Sequence, residues 1–210
     1  IRRLGAIAGV MITASHNPKE YNGYKVYGED GAQMSPEDTA VVVGFIDKIT
    51  DYFSVKKDEV NFGASIKGLD GVKLNEYVTV IGKTIDESYY SEIEKLSLSP
   101  EVVKEYGKNL KLVYTPIHGS GYVPVTTILS RIGINVTCVK EQTEPDTEFS
   151  TVPIPNPENP AALEMGIALG NKIGADVVIG TDPDCDRMGL AVRDFSGKFR
   201  LLNGNQIGAL

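Results

Sequence analysis

Three aspartates at alternate positions, Asp182, Asp184 and Asp186, follow the apolar run Ala175 to Ile179 and are capped at once by Arg187. In extended backbone alternate side chains point the same way, so the three carboxylates share one side. Carboxylates that close repel one another and resist ionising together unless a cation stands among them. Oxygen donors suit Mg²⁺ or Ca²⁺, whereas Zn²⁺ prefers nitrogen and sulfur. A calcium EF-hand also opens on alternating carboxylates, but it needs Gly at its sixth place and Glu at its twelfth. Arg187 and Arg193 occupy those places here, which excludes the calcium loop.

A second chemical feature lies far upstream. Thr13-Ala14-Ser15-His16-Asn17-Pro18 stands directly behind the apolar stretch Ala6 to Ile12, so a strand feeds a turn that offers the Ser15 hydroxyl to solvent. Pro18 keeps the chain from entering a helix. Taken alone, such a run reads as a polar surface turn. Paired with a cation-binding aspartate loop, it reads as a nucleophile.

The elements that position these loops follow from the patterning. Lys25 to Tyr27 and Ala32 to Met34 flank Gly28-Glu29-Asp30-Gly31, which predicts a hairpin. Ser35-Pro36 starts a helix whose Val41, Val42, Phe45, Ile46 and Ile49 form an apolar face expected to be core. The stretch 55–74 has no clear period and reads as a linker, Tyr77 to Ile81 as a strand, and Asp86 to Leu98 as an amphipathic helix. From Leu110 strands and helices alternate: strand to Tyr114, helix Tyr122 to Ile132, strand Asn135 to Val139, helix Pro160 to Lys172, strand Ala175 to Ile179. Met188 to Val192 and Lys198 to Leu202 then close as a hairpin. The fold class is α/β, a mixed and mainly parallel sheet with helices on both faces. Ligands gather beyond the carboxyl ends of strands in such sheets, and the aspartate loop falls there. Thr115 to Gly121 joins a strand to a helix and could offer backbone N–H groups to a phosphate, although a turn with a hydrogen-bonded His118 is the preferred reading.

The serine loop and the aspartate cluster together resemble the α-D-phosphohexomutases, the family of phosphoglucomutase and phosphomannomutase. Thr13 to Pro18 resembles that family's phosphoserine loop, and Tyr21-Asn22-Gly23-Tyr24-Lys25 its continuation. Asp182 to Arg187 falls on the metal loop, with Pro183 and Cys185 where Gly and Ala are usual. Together with Glu144 to Asp146 and the Pro-rich Pro153 to Pro160, this variant is similar to the bacterial phosphoglucomutase and phosphopentomutase branch. The resemblance implies catalytic roles for Ser15, His16, Lys25 and Arg187, and a metal site of Ser15, Asp182, Asp184 and Asp186. It implies Mg²⁺ as cofactor and glucose 1,6-bisphosphate as activator and intermediate. Glucose 1-phosphate and glucose 6-phosphate lead as substrates, with pentose and mannose phosphates as alternatives. The implied division places the end of the first domain and a linker at 1–75, the second domain at 76–203 and the entry to a third at 204–210. On that division the chain is a fragment, inactive by itself, whose partners include the remaining domains. The competing reading from another class is a non-catalytic module that binds metal or phosphosugar. A serine phosphatase is weaker, because such sites commonly use further histidines and only two occur.

Composition excludes several other classes. A net charge of -7, from 21 basic and 28 acidic side chains, disfavours nonspecific nucleic-acid binding. The longest apolar runs are strand-sized and interrupted by Gly, so no membrane span or signal segment is expected. Two cysteines without CxxC spacing make a disulfide framework unexpected and a reducing cytoplasm the simplest setting.

Overall fold

The computed structural model describes residues 1–54, 71, 73 and 77–210, so most of the expected linker at 55–74 lies outside the described residues. The chain divides into two compact units, Ile1–Met11 with Tyr24–Glu92 and Ile12–Gly23 with Ile93–Leu210.

In the first unit, β1 (Ala8–Ile12) and β2 (Tyr24–Gly28) form a two-stranded sheet. The expected hairpin after β2 is a turn with one bridge, Tyr27 to Gln33, and no second strand. Helix α1 (Pro36–Ile46) begins as its sequence dictates: the Ser35 hydroxyl accepts from the Asp38 N–H, and Pro36 takes the first turn. Its apolar face is not core. Val41 is 61% and Phe45 64% exposed, because a sheet of two strands offers too little surface to cover that face among the described residues. The expected strand at Tyr77 to Ile81 is likewise absent, reduced to a bridge between Lys73 and Thr79. Helix α2 runs Lys83–Glu94 rather than on to Leu98. Ser99-Pro100 bars the helix from running past Leu98, since a residue before proline is driven from helical backbone, but the stop at Glu94 falls well before it. Pro100 then opens α3 (Pro100–Tyr106), a helix of the second unit that periodicity did not mark.

The second unit is built on a five-stranded sheet. Its strands are β3 (Leu112–Thr115), β4 (Val136–Cys138), β5 (Val177–Thr181), β6 (Met188–Arg193) and β7 (Phe199–Leu202), in the order β4-β3-β5-β6-β7. β4, β3 and β5 are parallel, and β6 and β7 add as the antiparallel hairpin that the sequence predicts. All four residues of β3 are buried, as a strand covered on both faces requires. Helix α4 (Tyr122–Arg131) packs on β4, and α5 (Pro160–Ile173) on β3 and β5. The Asn159 side chain caps α5, and Gly174 closes it in left-handed backbone at φ 66°. Val113, Val139, Ala175, Val178 and Ala191 form the main core. A second cluster, Ile117, Val152 and Ala162, lies beneath the loops that follow β3. The chain ends on the short helix α6 (Gly204–Ala209), opened by an Asn203–Gln206 capping box. No described helix is long and apolar enough to cross a membrane.

Arg193 of β6 ties together the backbone around the end of α5, where the Gly174 and Ala175 N–H groups already meet Gly170 O. Its guanidinium donates to Gly170 O at 3.0 Å, Ala175 O at 2.6 Å and Gly197 O at 2.6 Å, and lies 4.2 Å from the centre of the Phe199 ring. Arg193→Leu keeps the apolar stem and removes these bonds, so urea unfolding should show a loss of about 2–4 kcal/mol.

Candidate active site

Two loops at the carboxyl ends of neighbouring parallel strands build the floor of the site. The aspartate loop follows β5, and the loop 115–121 follows β3. Asp182 is fully buried, Asp184 half-buried and Asp186 exposed, and one oxygen from each lies within 4.8 Å of the others. The Asp182 carboxylate is anchored at both oxygens. Oδ1 accepts the Arg187 N–H at 2.9 Å, and Oδ2 accepts the Ser15 hydroxyl at 2.9 Å. Burial pushes Asp182 above the ordinary carboxylate range; the Arg187 N–H opposes this, and neighbouring Asp184 adds to it. Buried negative charge beside two more carboxylates is a donor set that suits a hard divalent cation.

The serine loop belongs to this unit, although the residues on both sides of it belong to the other. Its neck closes where the Thr13 N–H donates to Gly23 O at 3.1 Å. Inside the loop the Ser15 N–H donates to Thr13 Oγ1 at 2.8 Å, and the Thr13 hydroxyl donates to Asp184 Oδ2 at 3.2 Å. Ser15 Oγ lies 3.2 Å from His16 Nδ1. Farther along, Lys19 pairs with Glu148, an interaction that holds the Lys19 ammonium above its usual range. Ser15, His16, Asp182, Asp184 and Asp186 are therefore brought together. Arg187 contributes its backbone N–H, while its side chain is exposed. Lys25 stands half-buried in β2 of the other unit.

The loop after β3 does not offer its N–H groups to an anion. Ile117 N–H donates to Thr115 Oγ1, His118 N–H to Gln142 O, Gly119 N–H to Pro116 O and Ser120 N–H to Pro183 O. The loop instead braces the aspartate loop from below. His118 is structural, as preferred from the sequence: Nδ1 lies 2.8 Å from Glu144 O and Nε2 2.7 Å from Thr151 Oγ1. A carbonyl can only accept, so Nδ1 carries the proton and Nε2 accepts from Thr151. Gln142, fully buried, completes the network by accepting from Thr115 at 2.5 Å and donating to Thr151 at 3.0 Å.

Backbone strain gathers around the same loops. Ser15, Ile117, His118, Phe149 and Cys185 all have φ between 48° and 63°. Left-handed backbone at non-glycine residues costs on the order of 1–3 kcal/mol each and persists only where the surroundings fix it. Cys185 turns its sulfur toward a niche beside Gly121, where Tyr114 Oη and Thr181 Oγ1 lie 2.8 Å apart. Burial raises the thiol above its usual range. Thr13 and Gln142 were assigned no role from the sequence. A Thr-x-Ser spacing is a legible signal for the first, since a threonine hydroxyl often accepts the N–H two residues on. Gln142 carries no such signal.

The model described as phosphoglucomutase/phosphomannomutase, alpha/beta/alpha domain II, matches residues 87–197, and that for domain I matches residues 1–53. The chain belongs to the phosphoglucomutase/phosphomannomutase family. A phosphoglucomutase of Staphylococcus epidermidis is 41% identical, aligned over 100% of this chain and 36% of its own length. This family member thus spans about a third of the curated relatives it matches. Among solved structures, the Paramecium phosphoglucomutase parafusin superposes with a TM-score of 0.62 at 19% identity, over 91% of this chain and 37% of that one. An Aspergillus fumigatus N-acetylphosphoglucosamine mutase, solved in complex with glucose 1,6-bisphosphate, gives 0.54 at 19% identity, over 99% and 47%. These two likenesses speak for the fold.

Two outcomes test how the site is held. A Cβ on Gly119 would stand 2.5 Å from Pro183 Cα and 2.8 Å from Pro116 O, so Gly119→Ala must move backbone. It should cost about 1–3 kcal/mol in thermal unfolding. The second concerns Asp146, held down to about 2 by the Ser150 hydroxyl first, then by the Ser150 and Glu148 N–H groups. A lowered folded-state pKa stabilises the native chain above the unfolded value of about 3.9 and loses that effect as pH falls through about 2. The stability gap between wild type and Asp146→Asn should therefore be full at about pH 5 and close on approach to pH 2.

Proposed function

We propose that the protein carrying this chain is a phosphoglucomutase-like phosphotransferase that interconverts glucose 1-phosphate and glucose 6-phosphate through a phosphoserine on Ser15 and a sugar 1,6-bisphosphate, in the presence of Mg²⁺. The observation that carries the reading is the Ser15 hydroxyl donating at 2.9 Å to the buried Asp182 beside two further carboxylates. Membership of the family and a relative described with bound glucose 1,6-bisphosphate support the substrate class.

A free serine hydroxyl is a weak phosphoryl acceptor and has none to give, so the working form of Ser15 carries phosphate. The phosphoryl group leaves Ser15 Oγ for the free hydroxyl of the sugar monophosphate: the P–O bond to serine breaks, one to the sugar oxygen forms, and the sugar hydroxyl yields its proton. The bisphosphate reorients and returns its other phosphoryl group to Ser15. His16 Nδ1, 3.2 Å from Ser15 Oγ, exchanges the serine proton. Lys25 is assigned the proton of the sugar hydroxyl on its place in the sequence motif alone. Arg187, with its N–H fixed on Asp182 and its guanidinium exposed, is assigned to the phosphate oxygens. Asp182, Asp184, Asp186 and an oxygen on Ser15 would hold Mg²⁺, whose positive charge would let a phosphoserine of about -1.5 to -2 sit beside three carboxylates.

The domain division at 1–75, 76–203 and 204–210 and a cytoplasmic setting, consistent with the free Cys138 and Cys185, belong to the same proposal. The 210 residues alone are expected to bind the cation without turning substrate over. In the full-length protein first stripped of phosphate, incubation with glucose 1,6-bisphosphate and Mg²⁺ should add one phosphoryl group by intact mass. Ser15→Ala should take up none and lose turnover by at least about 10⁴-fold. Asp184→Asn should raise the Mg²⁺ needed for half-maximal rate at least about tenfold, and a chelator should abolish turnover reversibly. Unaltered mass in wild type together with undiminished turnover in Ser15→Ala would reject the phosphoserine mechanism.

A further inference from the structure

Thr13 holds a position that the proposed chemistry does not use. Its single hydroxyl proton goes to Asp184 Oδ2 at 3.2 Å, and its oxygen accepts the Ser15 N–H at 2.8 Å. One side chain thus ties the backbone of the nucleophile to a carboxylate of the aspartate loop, across 171 positions of sequence.

Two facts make this tie consequential. First, Ser15 sits at φ 54°, a left-handed value that a serine leaves readily unless something fixes it. Rotation about the Ser15 N–Cα bond redirects Oγ but not the N–H, which the preceding planar peptide sets, so the Thr13 bond fixes the peptide from which Oγ projects. Second, the other link between the two loops, Ser15 Oγ to Asp182, depends on the serine proton. When Oγ carries a phosphoryl group that proton is gone and the bond with it. The Thr13 link uses only the Ser15 N–H and the threonine hydroxyl, both unchanged by phosphorylation. The Lys19–Glu148 pair also ties the loop, but its side chains are 43% and 67% exposed, and exposed pairs contribute little because water screens them.

We propose that Thr13 is a positioning residue that keeps Ser15 registered on the aspartate loop both before and after the serine is phosphorylated. This rests on the phosphoserine reading above for its catalytic consequence, though not for its structural one. Thr13→Val preserves shape and removes both bonds, whereas Thr13→Ser keeps the hydroxyl.

The test uses the full-length protein, first without phosphate or metal. Hydrogen exchange of peptides spanning 12–23 should quicken about tenfold in Thr13→Val, with the midpoint of thermal unfolding within a few degrees of wild type, and return to the wild-type rate in Thr13→Ser. In turnover, Thr13→Val should lower kcat about 10–100-fold with KM for the sugar phosphate unchanged, and Thr13→Ser should recover most of it. Wild-type exchange in Thr13→Val, failure of Thr13→Ser to restore it, or a Thr13→Val chain that unfolds outright would each overturn the proposal, the last because Thr13 would then be a stability residue. If wild-type Ser15 takes up no phosphate, the phosphoserine reading falls, while the exchange measurement still decides the role of Thr13.

Discussion

The second unit depends on one electrostatic constraint: three carboxylates held within 4.8 Å of one another, with Asp182 excluded from water. Left to itself such a loop would splay until solvent separated the charges. The surroundings prevent this by giving the carboxylates fixed donors and by blocking the loop's retreat. Ser15 and Thr13 hydroxyls approach from one loop, the Arg187 N–H from the aspartate loop itself, and Ser120 and Gly119 press on Pro183 from a third.

The bracing is itself polar and buried, which raises the stakes. Thr115, Gln142, Thr151 and His118 form a chain in which each donor has an acceptor. A half-satisfied network of that kind would cost more than an apolar core, whereas a satisfied one specifies a single arrangement. It also steadies the left-handed Ile117 and His118, whose backbone would otherwise relax. The small apolar cluster of Ile117, Val152 and Ala162 lies under this network, and the larger core under the sheet stabilises the platform as a whole.

The alternation of strands and helices after Leu110 was legible because hydrophobic period and caps agree there: Asn159-Pro160 opens α5, and Gly174 closes it. Both functional loops were legible too, since aspartates in alternation and a serine run behind a strand are local patterns. The apolar face of α1 misled for a physical reason. Periodicity reports that a face can be buried, but what covers it is a property of neighbours. The loop 115–121 was read as a structural turn in preference to a phosphate cradle, and acceptors at Gln142 and Pro183 take up the His118 and Ser120 N–H groups accordingly. Gln142 went unassigned because its partner Thr115 lies far along the chain, as does Asp184 for Thr13, whose nearer tie to Ser15 was legible and passed over.

The chain passes into the second unit at Ile12 and leaves it at Tyr24, so Ser15 is lent to the aspartates by a segment whose flanks lie elsewhere. The two units are therefore not modules in the genetic sense. No single cut can separate them without stranding Ser15, and any recombination that exchanges one unit must carry both ends of the excursion together. Shuffling along this chain is restricted to boundaries that respect a closed loop of sequence, which ties the inheritance of the serine to that of the carboxylates it faces.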